Sequence, residues 1–530
     1  MSDWLTEGHL AWFVIDAVAV LDTSGLHERA AARRDGTPAR STAGRAGYDP
    51  DMLLALLIYG YACGERSSRR FERLCATDVA FRVICAGDVP DHTVISRFRQ
   101  THADSFVELF AQVLRLCRAA GLAQLGTVAI DGTKIAANAS RLANRSHEWL
   151  AAEATRRDPA GTDPAGTDPG DRERAEAILN EAAQTDAAED AVFGAARGDE
   201  LSPGWASRGG RQARIRAALD RIAAEQAARE EQKHADAAAR AERDADMLAA
   251  AETALAAELA RREVKRQAWE RQWEQAMTVP GTSPPRGAAP KPAEQSVVVR
   301  RAVARVETAR RRVTDPDNAA RPGGSRAHPD RRGGRRDPHP EPRGNLTDPD
   351  SSIMPTSNGW VQGYNTQFAV TTDQIIVGLQ VSTNPADIAS YIPMVDTVTT
   401  TAAALGATTE LGTLLLDTGY CSNATLTAPG PDRLIATGKT RSIRQAARDH
   451  PAAGPPPGDA SPREAMEHRL RTPQGAQLYT RRGATVEPAI GNFKKLLDRF
   501  SRRGLEAVTS EAHLAATAFN LLKIYRAAPA

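Results

Sequence analysis

The apolar residues near the start of the chain recur at helical spacing. A first stripe consists of Leu10, Phe13, Val14, Ala17, Val18 and Leu21. A second helix is predicted from the N-cap residue Asp49 and the first-turn residue Pro50 to Gly64. Shorter apolar runs follow, and a last stripe ends before Gly121. These patterns predict a helical N-terminal domain over residues 1–125.

Arginines occur on two of these predicted helices. The residues in question are Arg69, Arg70 and Arg73 on one helix and Arg97 and Arg99 on a later one. Closely spaced helices of this kind can form a helix-turn-helix, in which arginines contact phosphates and base edges. Solvated helix faces carry similar charges, so both interpretations stay open. On the first interpretation, DNA contacts are predicted for Arg69, Arg70, Arg97 and Arg99.

Strand patterns begin after this region. The apolar run 125–130 stops at Asp131-Gly132, and LGTLLLDTGY repeats the pattern with Asp417 at its end. The runs GYNTQFAVTT and QIIVGLQVS predict an antiparallel hairpin, and DRLIAT predicts a further buried strand. Residues 387–401 predict a helix, and a last helical region begins near Thr485. We therefore predict a sheet of at least five strands with flanking helices.

Residues 141–344 interrupt the strand pattern. Their first part is rich in Ala, Glu and Arg, and its near-heptad apolar residues predict helical arms that could pair as a hairpin: Ile215, Leu219, Ile222, Leu248, Leu255 and Leu259. From about Pro280 the composition changes to Pro, Gly and Arg, as in TSPPRGAAPKP and RPGGSRAHPDRRGGRRDPHPEPRG. Such a segment buries too little apolar surface to order itself. We predict that it is disordered and a candidate for DNA affinity.

Composition narrows the class of protein only slightly. A chain of 530 residues is too long for one ordinary core. The formal net charge of +2 at pH 7 conceals alternating basic and acidic stretches, so it argues neither for nor against nucleic acid. No signal-peptide pattern and no apolar run of membrane-spanning length occurs, so we expect a cytoplasmic protein without a membrane partner. The motifs HExxH, GxxxxGK[ST] and GxSxG are absent, which disfavours zinc, nucleotide and hydrolase-triad sites.

Three carboxylates are the candidate catalytic and metal-binding residues: Asp131, Asp417 and Glu487. Hard cations such as Mg²⁺ or Mn²⁺ take carboxylate oxygens, and three carboxylates can hold two such ions for phosphoryl transfer without a small-molecule cofactor. Each residue also has an ordinary interpretation: Asp131 as a turn residue, Asp417 as a strand-end cap and Glu487 as a first-turn glutamate.

Two residues share the predicted helix face of Glu487. Gly491 and Lys494 follow it at positions i+4 and i+7. The missing side chain at Gly491 is predicted to leave room beside the carboxylate. Lys494 is predicted to meet a DNA phosphate near the metal ions.

Long stretches at both ends of the chain are similar to those of a known family. The N-terminal stretches are HLAWFVIDAV, YDPDMLLALLIYGYACGERSSRRFER, DVAFRVI, PDHTVISRFRQTH and VAIDGTKIAANAS. The C-terminal stretches are NLTDPDSSIM, GYNTQFAV, NPADIASYIPM, LLLDTGYCS and YTRRGATVEPAIGNFKKLLDRFSRRGLE. These stretches resemble the DDE transposases of bacterial insertion sequences, in the branch with an InsH-like helical N-terminal domain and a Tyr-Arg-Glu-Lys signature. The resemblance implies catalytic roles for Asp131, Asp417 and Glu487, and it places the DNA-binding signature residues at Tyr479, Arg482 and Lys494. The gap from Arg482 to Glu487 is one residue longer than in the commonest form of the signature.

The resemblance also implies an architecture. It is a mixed α+β chain, in which the helical domain precedes an RNase H-like catalytic domain, a mixed sheet with flanking helices. The catalytic domain covers residues 126–140 and 345–530, and the insertion 141–344 interrupts it. Asp348, Asp350 and Asp387 are alternative carboxylates for the site.

The activity implied is metal-dependent strand cleavage and strand transfer at the ends of an insertion sequence. Its partners would be terminal inverted repeats, target DNA and a homo-oligomer in the synaptic complex. Three alternatives stay open: an inactive DNA-binding derivative, a metal-dependent nuclease that cuts without joining, and a protein whose insertion is an assembly module.

Overall fold

The computed structural model describes residues 4–35, 47–157, 208–279, 281–314, 343–356 and 359–527. The chain divides into two compact units, Met1–Ile222 with Pro342–Ala530 and Ala223–Glu341. The basic end of the segment predicted to be disordered, 315–342, lies outside the described residues.

The N-terminal region is helical, as its apolar stripes predicted. Its helices are α1 (Leu10–Ala19), α2 (Ser24–Asp35), α3 (Pro50–Ala62), α4 (Ser68–Thr77), α5 (Val79–Ile84), α6 (His92–Thr101) and α7 (Ser105–Ala119). Asp49 caps α3 by accepting the N–H of Asp51, and Pro50 occupies the first turn, where its missing N–H costs nothing. Most of α3 is buried around its whole circumference, because its apolar residues are not confined to one stripe.

A six-stranded mixed sheet follows. Its strands are β1 (Thr127–Ala136), β4 (Ser352–Thr356), β5 (Gly359–Thr371), β6 (Ile376–Ser382), β7 (Thr413–Leu416) and β8 (Arg433–Ile435), and a separate pair is formed by β2 (Asn144–Ser146) and β3 (Arg343–Asn345). The order is β4-β5-β1-β7-β8, with β6 beside β5. Strand β1 is antiparallel to β5 and parallel to β7, which is in turn parallel to β8. The predicted hairpin is therefore β5–β6, and the predicted DRLIAT strand is β8.

Helices cover both faces of the sheet. Those of the first unit after β1 are α8 (His147–Arg157), α11 (Tyr391–Ala404), α12 (Asn423–Thr427), α13 (Thr440–Asp449), α14 (Pro462–Arg471), α15 (Pro473–Leu496) and α16 (Leu505–Ala527). On β5, Phe368 packs edge-to-face against Phe493 of α15, with the ring centroids 4.8 Å apart. The next residue, Ala369, pairs with Gly378, which lies against Val398 of α11. Because successive strand residues point to opposite faces, α15 and α11 lie on opposite sides of the sheet.

The N-terminal helices and the sheet share one hydrophobic core, which runs from Ala11 to Leu522. The reason is α16, which packs against α3 and α7 and also against β6. The structure thus groups residues 1–125 with the sheet in one compact unit rather than as a unit of their own.

The inserted segment begins with one continuous helix of 71 residues, α9 (Arg208–Thr278). Its first turns belong to the first unit, where Ile215 and Ile222 bury Leu150 of α8 in a small apolar cluster. A second helix, α10 (Val297–Thr314), lies within the second unit. Arg310 of α10 contacts Glu252 of α9 at 2.9 Å. The predicted helical arms both lie on α9, which is continuous, so they do not form a hairpin with each other.

Two predicted boundaries and one prediction of disorder were wrong. Strand β1 continues through Asp131 to Ala136, because backbone pairing with β5 extends past the end of the apolar run. Helix α15 begins at Pro473, where Thr472 caps it by accepting the N–H of Gly475, so Glu487 lies in mid-helix and not in a first turn. Helix α10 is ordered although it lies in the segment predicted to be disordered, because Val299, Val306 and Ala309 give it a buried face.

Among the described residues, no single helix has the length and apolar composition to cross a membrane. Leu10–Ala19 and Ser24–Ala30 reach that composition only when taken together, as a pair bent by 80°.

Candidate active site

Asp131 and Asp417 are brought side by side by two adjacent parallel strands. In the register of β1 and β7, Ala129 is the partner of Leu415. Asp131 lies two residues beyond Ala129, and Asp417 lies two residues beyond Leu415. Since side chains two apart on a strand share a face, the two carboxylates lie level on the same face of the sheet.

A buried arginine lies between these carboxylates. Arg482 projects from α15, and its Nη2 lies 2.8 Å from Asp131 Oδ2 and 3.8 Å from Asp417 Oδ2. Arg482 is only 8 % exposed, and its Nε has no hydrogen-bond partner among the described residues. Both carboxylates therefore converge on one position that holds positive charge.

Glu487 follows Arg482 on α15 and is exposed. A Cβ added to Gly483 would lie 3.2 Å from Glu487 Oε1, so the carboxylate leans back over the preceding turn, as helical side chains do. Gly491, which was predicted to make this room, has no atom within 4 Å of its Cβ position. The prediction for Gly491 was wrong, because the glycine that makes room for the carboxylate of Glu487 is Gly483.

Burial and the neighbouring charges shift the pKa values of Arg482 and Asp131. Burial alone would lower the pKa of the guanidinium, but the charges of Asp131, Asp417 and Glu487, together with Tyr479, outweigh it and raise the pKa. Burial raises the pKa of Asp131 to about 6, with Asp417 and Asp387 adding to the rise, while Arg482 and the N–H of Gly132 oppose it. One guanidinium therefore does not neutralise this group of carboxylates.

A polar network lies behind Asp131, on the opposite face of β1. Asp387, in the short helix Asp387–Ser390, accepts hydrogen bonds at Oδ1 from Gln367 at 2.8 Å, Asn365 at 3.1 Å and Lys134 at 3.1 Å. The buried hydroxyl of Tyr420 donates to Gln367 Oε1. The network thus joins β1, β5 and the segment after β7.

Two glycines permit this close packing. A Cβ on Gly132 would lie 2.2 Å from Gln367 Nε2 and 2.9 Å from Asp387 Oδ1. A Cβ on Gly419 would lie 3.0 Å from Asp417 Oδ1 and 3.4 Å from Asp387 Oδ2. Asp387 therefore lies close to Asp417, whereas sequence reasoning had named it only as an alternative. The signal was available in GYNTQ, since Asn365 and Gln367 are polar and alternate within a buried strand.

Asp348 and Asp350, the other two alternative carboxylates, lie at the start of α16 and not beside Asp131 and Asp417. Asp348 is fully buried and accepts the hydroxyl of Tyr364 at 2.8 Å and the N–H of Gly504 at 3.1 Å. Burial raises the pKa of Asp348 to about 6. Asp350 accepts the N–H of Leu505 at 2.8 Å. Both aspartates thus satisfy donors at the start of α16.

The predicted DNA contacts differ in accessibility. Arg69, Arg70 and Arg97 are exposed, and Arg70 pairs with Glu65 at 2.8 Å. Lys494 is partly exposed, and burial lowers its pKa. Tyr479 is 4 % exposed, beside Arg482 in the buried part of α15.

Arg99 is buried, which contradicts the prediction that this residue contacts DNA. It is 1 % exposed and donates to the carbonyl of Arg66 at 2.8 Å, the hydroxyl of Tyr61 at 3.3 Å and Ser68 Oγ. A guanidinium held in this way supports the packing of α3, α4 and α6. It offers no surface to a duplex.

The donor set at Asp131 and Asp417 suits a hard divalent cation. Asp131, Asp417, Asp387 and Glu487 supply four negative charges against two positive ones from Arg482 and Lys134, which leaves two negative charges. All the candidate ligand atoms are carboxylate oxygens, which Mg²⁺ and Mn²⁺ prefer.

The three predicted catalytic carboxylates are not gathered as closely as metal ligands. Among the described residues, ligand atoms of three residues lie within 4.8 Å of one another at His27, Asp49 and Asp51 and at Glu72, Asp91 and His92, but not at Asp131, Asp417 and Glu487. Asp49 and Asp91 are helix caps, which accounts for their positions.

Comparisons with known families agree with the resemblance at both ends of the chain. Residues 2–101 match a transposase domain family, DUF772, and residues 458–525 match a transposase DDE domain family. Glu487 lies inside the second match, whereas Asp131 and Asp417 lie outside both. No curated protein and no solved structure matches the chain. The chain carries transposase domains at its two ends, in keeping with a DDE transposase of the insertion-sequence type.

Proposed function

We propose that this protein cleaves DNA strands at the ends of an insertion sequence and joins them to target DNA, with Asp131, Asp417 and Glu487 as its catalytic residues. The observation that carries the proposal is the level placement of Asp131 and Asp417 on adjacent parallel strands, both directed at one cationic position. Two aspartates that were chosen from sequence alone lie together although 285 positions separate them in the chain.

The proposed fold of the catalytic part is RNase H-like. Support comes from the mixed six-stranded sheet, in which antiparallel β6, β5 and β1 are followed by parallel β7 and β8. Helices on both faces complete the arrangement, and α15, which carries Glu487, packs against β1, β5 and β7.

Asp131 and Asp417 would hold Mg²⁺ or Mn²⁺, and Glu487 would complete the set for two ions. When bound, such ions supply Lewis-acid activation of an attacking oxygen and stabilise the leaving oxygen of a phosphodiester. Arg482 offsets the repulsion between Asp131 and Asp417, and the Tyr420–Gln367–Asp387 network holds the segment after β7 in place. Lys494, on the same helix as Glu487, would contact a phosphate of the bound strand.

DNA binding by the N-terminal helices is also part of the proposal. Arg69, Arg70 and Arg97 are exposed on α4 and α6, which pack against each other. We assign them to the terminal repeats, and we propose that a homo-oligomer brings two ends together.

The test is a cleavage and joining assay with labelled DNA that carries the element's own ends, in Mg²⁺ or Mn²⁺. The variants are Asp131→Asn and Asp417→Asn. The matched control is Asp432→Asn, which alters an aspartate that is also ion-paired, to Arg469 at 2.6 Å, but away from the site. We expect metal-dependent cleavage and joining in the wild type and the control, and neither product in the two site variants.

Other outcomes identify the alternatives. Cleavage without joining would favour a nuclease. Binding without either product in the wild type would favour a DNA-binding derivative. Full activity in Asp131→Asn would refute the proposed catalytic site.

A further inference from the structure

Helix α10, in the second unit, is strongly basic. Between Val297 and Thr314 it carries six arginines and one glutamate, which gives a net charge of +5. The longer α9 has a nearly even balance of charges over its 71 residues. The concentration of positive charge is therefore a property of α10 itself.

The arginines of α10 lie outside its buried side. Val299, Val306 and Ala309 form its buried side. All six arginines are exposed, and four of them are spread over the surface away from that side, which is the outer face of α10: Arg300, Arg301, Arg305 and Arg311. At a rise of about 1.5 Å per residue, this surface extends over roughly 16 Å.

These four arginines have no ion-pair or hydrogen-bond partner among the residues that the structure describes. The other two arginines of α10 have contacts, Arg310 with Glu252 and Arg312 with Met247 Sδ at 3.6 Å. Within the described part of the chain, the guanidinium groups of the outer face have no acidic partner, and their charges repel one another.

Helix α9 shows the opposite arrangement within the same unit. Arg262 pairs with Glu258 at 3.1 Å, and Arg266 pairs with Glu263 at 2.7 Å and with Glu270 at 2.6 Å. These pairs have the spacing that neutralises a solvated helix surface. The outer face of α10 has no such ion pairs with the residues that the structure describes, so a polyanion could bind its arginines without displacing a partner among those residues.

We propose that the outer face of α10 is a contact surface for the phosphate backbone of duplex DNA. The inference rests on the proposed function, since it takes DNA as the partner, and it adds a binding surface outside the transposase domains. Arginine suits this partner because its planar fork matches phosphate oxygens. A duplex presents one charge for about every 1.7 Å of its axis, so the length of this surface meets several phosphates.

The chemistry of the face also sets its specificity. Arginine can read guanine in the major groove, but the proposed contact is with phosphates, which carry no base information. Binding should therefore be independent of base sequence. On the apolar side of α10, Val299 and Val306 are buried, whereas Val298, Val303 and Val313 are exposed. Binding to acidic vesicles is therefore one of the outcomes that the experiment distinguishes.

The experiment uses the full-length protein without divalent metal, in EDTA. One variant combines Arg301→Gln, Arg305→Gln and Arg311→Gln. The matched control combines Arg261→Gln, Arg262→Gln and Arg266→Gln, which removes the same charge from the same unit but at arginines paired to glutamates. Fluorescence anisotropy measures binding to a duplex of about 30 base pairs over a series of salt concentrations.

We expect the α10 variant to lower the slope of log K against log salt by about 2 to 3, at roughly 0.9 for each phosphate that is no longer neutralised. The affinity at 0.1 M salt should fall by about tenfold or more, equally for element ends and for unrelated DNA. The control should change the slope by less than about 1.

Equal slopes in the variant and the control would overturn the proposal, as would an effect confined to RNA or to acidic vesicles. A third variant with lysine at the same three positions keeps the charge and should keep the slope, and a reduced slope there would refute an electrostatic contact. Because the readout is binding in EDTA, absence of cleavage in the wild type would refute the proposed function without changing this result.

Discussion

At the scale of single residues, Asp131 is the least favourably placed charge of the candidate site. It is a partly buried aspartate in mid-strand, with two further carboxylates nearby and one guanidinium at 2.8 Å. Its pKa of about 6 records the balance of these effects. Below pH 6 the metal-free carboxyl is mostly protonated, so a cation that binds there must displace this proton.

The first prediction concerns this titration. Asp417→Asn removes a negative charge that raises the pKa of Asp131, so the pKa should fall below its value of about 6. Arg482→Gln removes the charge that lowers it, so the pKa should rise. Carboxyl NMR of the metal-free protein measures both shifts. The interpretation fails if the two variants move the pKa in the same direction.

At the scale of elements, α16 connects the parts of the first unit. Glu511 is 1 % exposed and accepts the hydroxyl of Tyr61 from α3 at 2.9 Å. It also accepts the N–H groups of Ser501 and Arg502, each at 3.0 Å. One buried carboxylate thus satisfies donors from α3 and from the segment between α15 and α16.

The second prediction follows from these bonds. Glu511→Ala should lower the free energy of unfolding by about 3 kcal/mol or more, because it leaves several buried donors without an acceptor. Glu511→Gln keeps an acceptor and should cost less. Urea denaturation measures both, with Glu506→Ala as the control, since Glu506 is an exposed glutamate in the first turn of the same helix. Equal losses in Glu511→Ala and Glu506→Ala would contradict the account.

Most elements could be predicted from the sequence, because apolar spacing and caps are local signals. Asp49-Pro50 marked the start of α3, and the run before Asp417 marked β7. The continuation of β1 through Asp131 was missed because it depends on β5, which is more than 200 residues away. The order in α10 was missed because a segment-wide composition concealed its valine spacing.

The candidate site could be predicted in part. Asp131 and Asp417 were chosen from strand ends and resemblance, and the register brings them level. The buried position of Arg482, the role of Gly483 and the network of Asp387 are tertiary features. No local pattern reports which side chain an arginine on one helix will meet on a strand.

At the scale of the whole molecule, the chain leaves the first unit after Ile222 and re-enters it at Pro342. Arg221, just before the end of the first unit's part of α9, donates to the backbone carbonyl of Arg343 at the start of β3. The two points where the chain leaves and re-enters the first unit therefore lie side by side.

The third prediction is that replacing residues 223–341 with a short Gly/Ser linker leaves the first unit folded. Its core and its candidate site contain no residue of the deleted segment. Deleting residues 1–120 should instead unfold the sheet, since α3 and α7 bury one side of α16. Circular dichroism and thermal melting compare the two deletions. The prediction would be wrong if the protein lacking residues 1–120 melted cooperatively and the protein lacking residues 223–341 did not.

Gly483 sets the stability of α15 against the position of its glutamate. Glycine in a helix interior costs roughly 1 kcal/mol relative to alanine, yet a methyl group here would lie 3.2 Å from Glu487 Oε1. We expect Gly483→Ala to raise the melting temperature while lowering strand transfer, and Gly491→Ala, which meets open space, to raise the melting temperature alone. Unimpaired strand transfer in Gly483→Ala would contradict this. Selection for thermal stability would thus favour alanine at position 483, whereas selection for the proposed strand transfer would favour glycine. A variant of this protein evolved for heat resistance should therefore transpose less often.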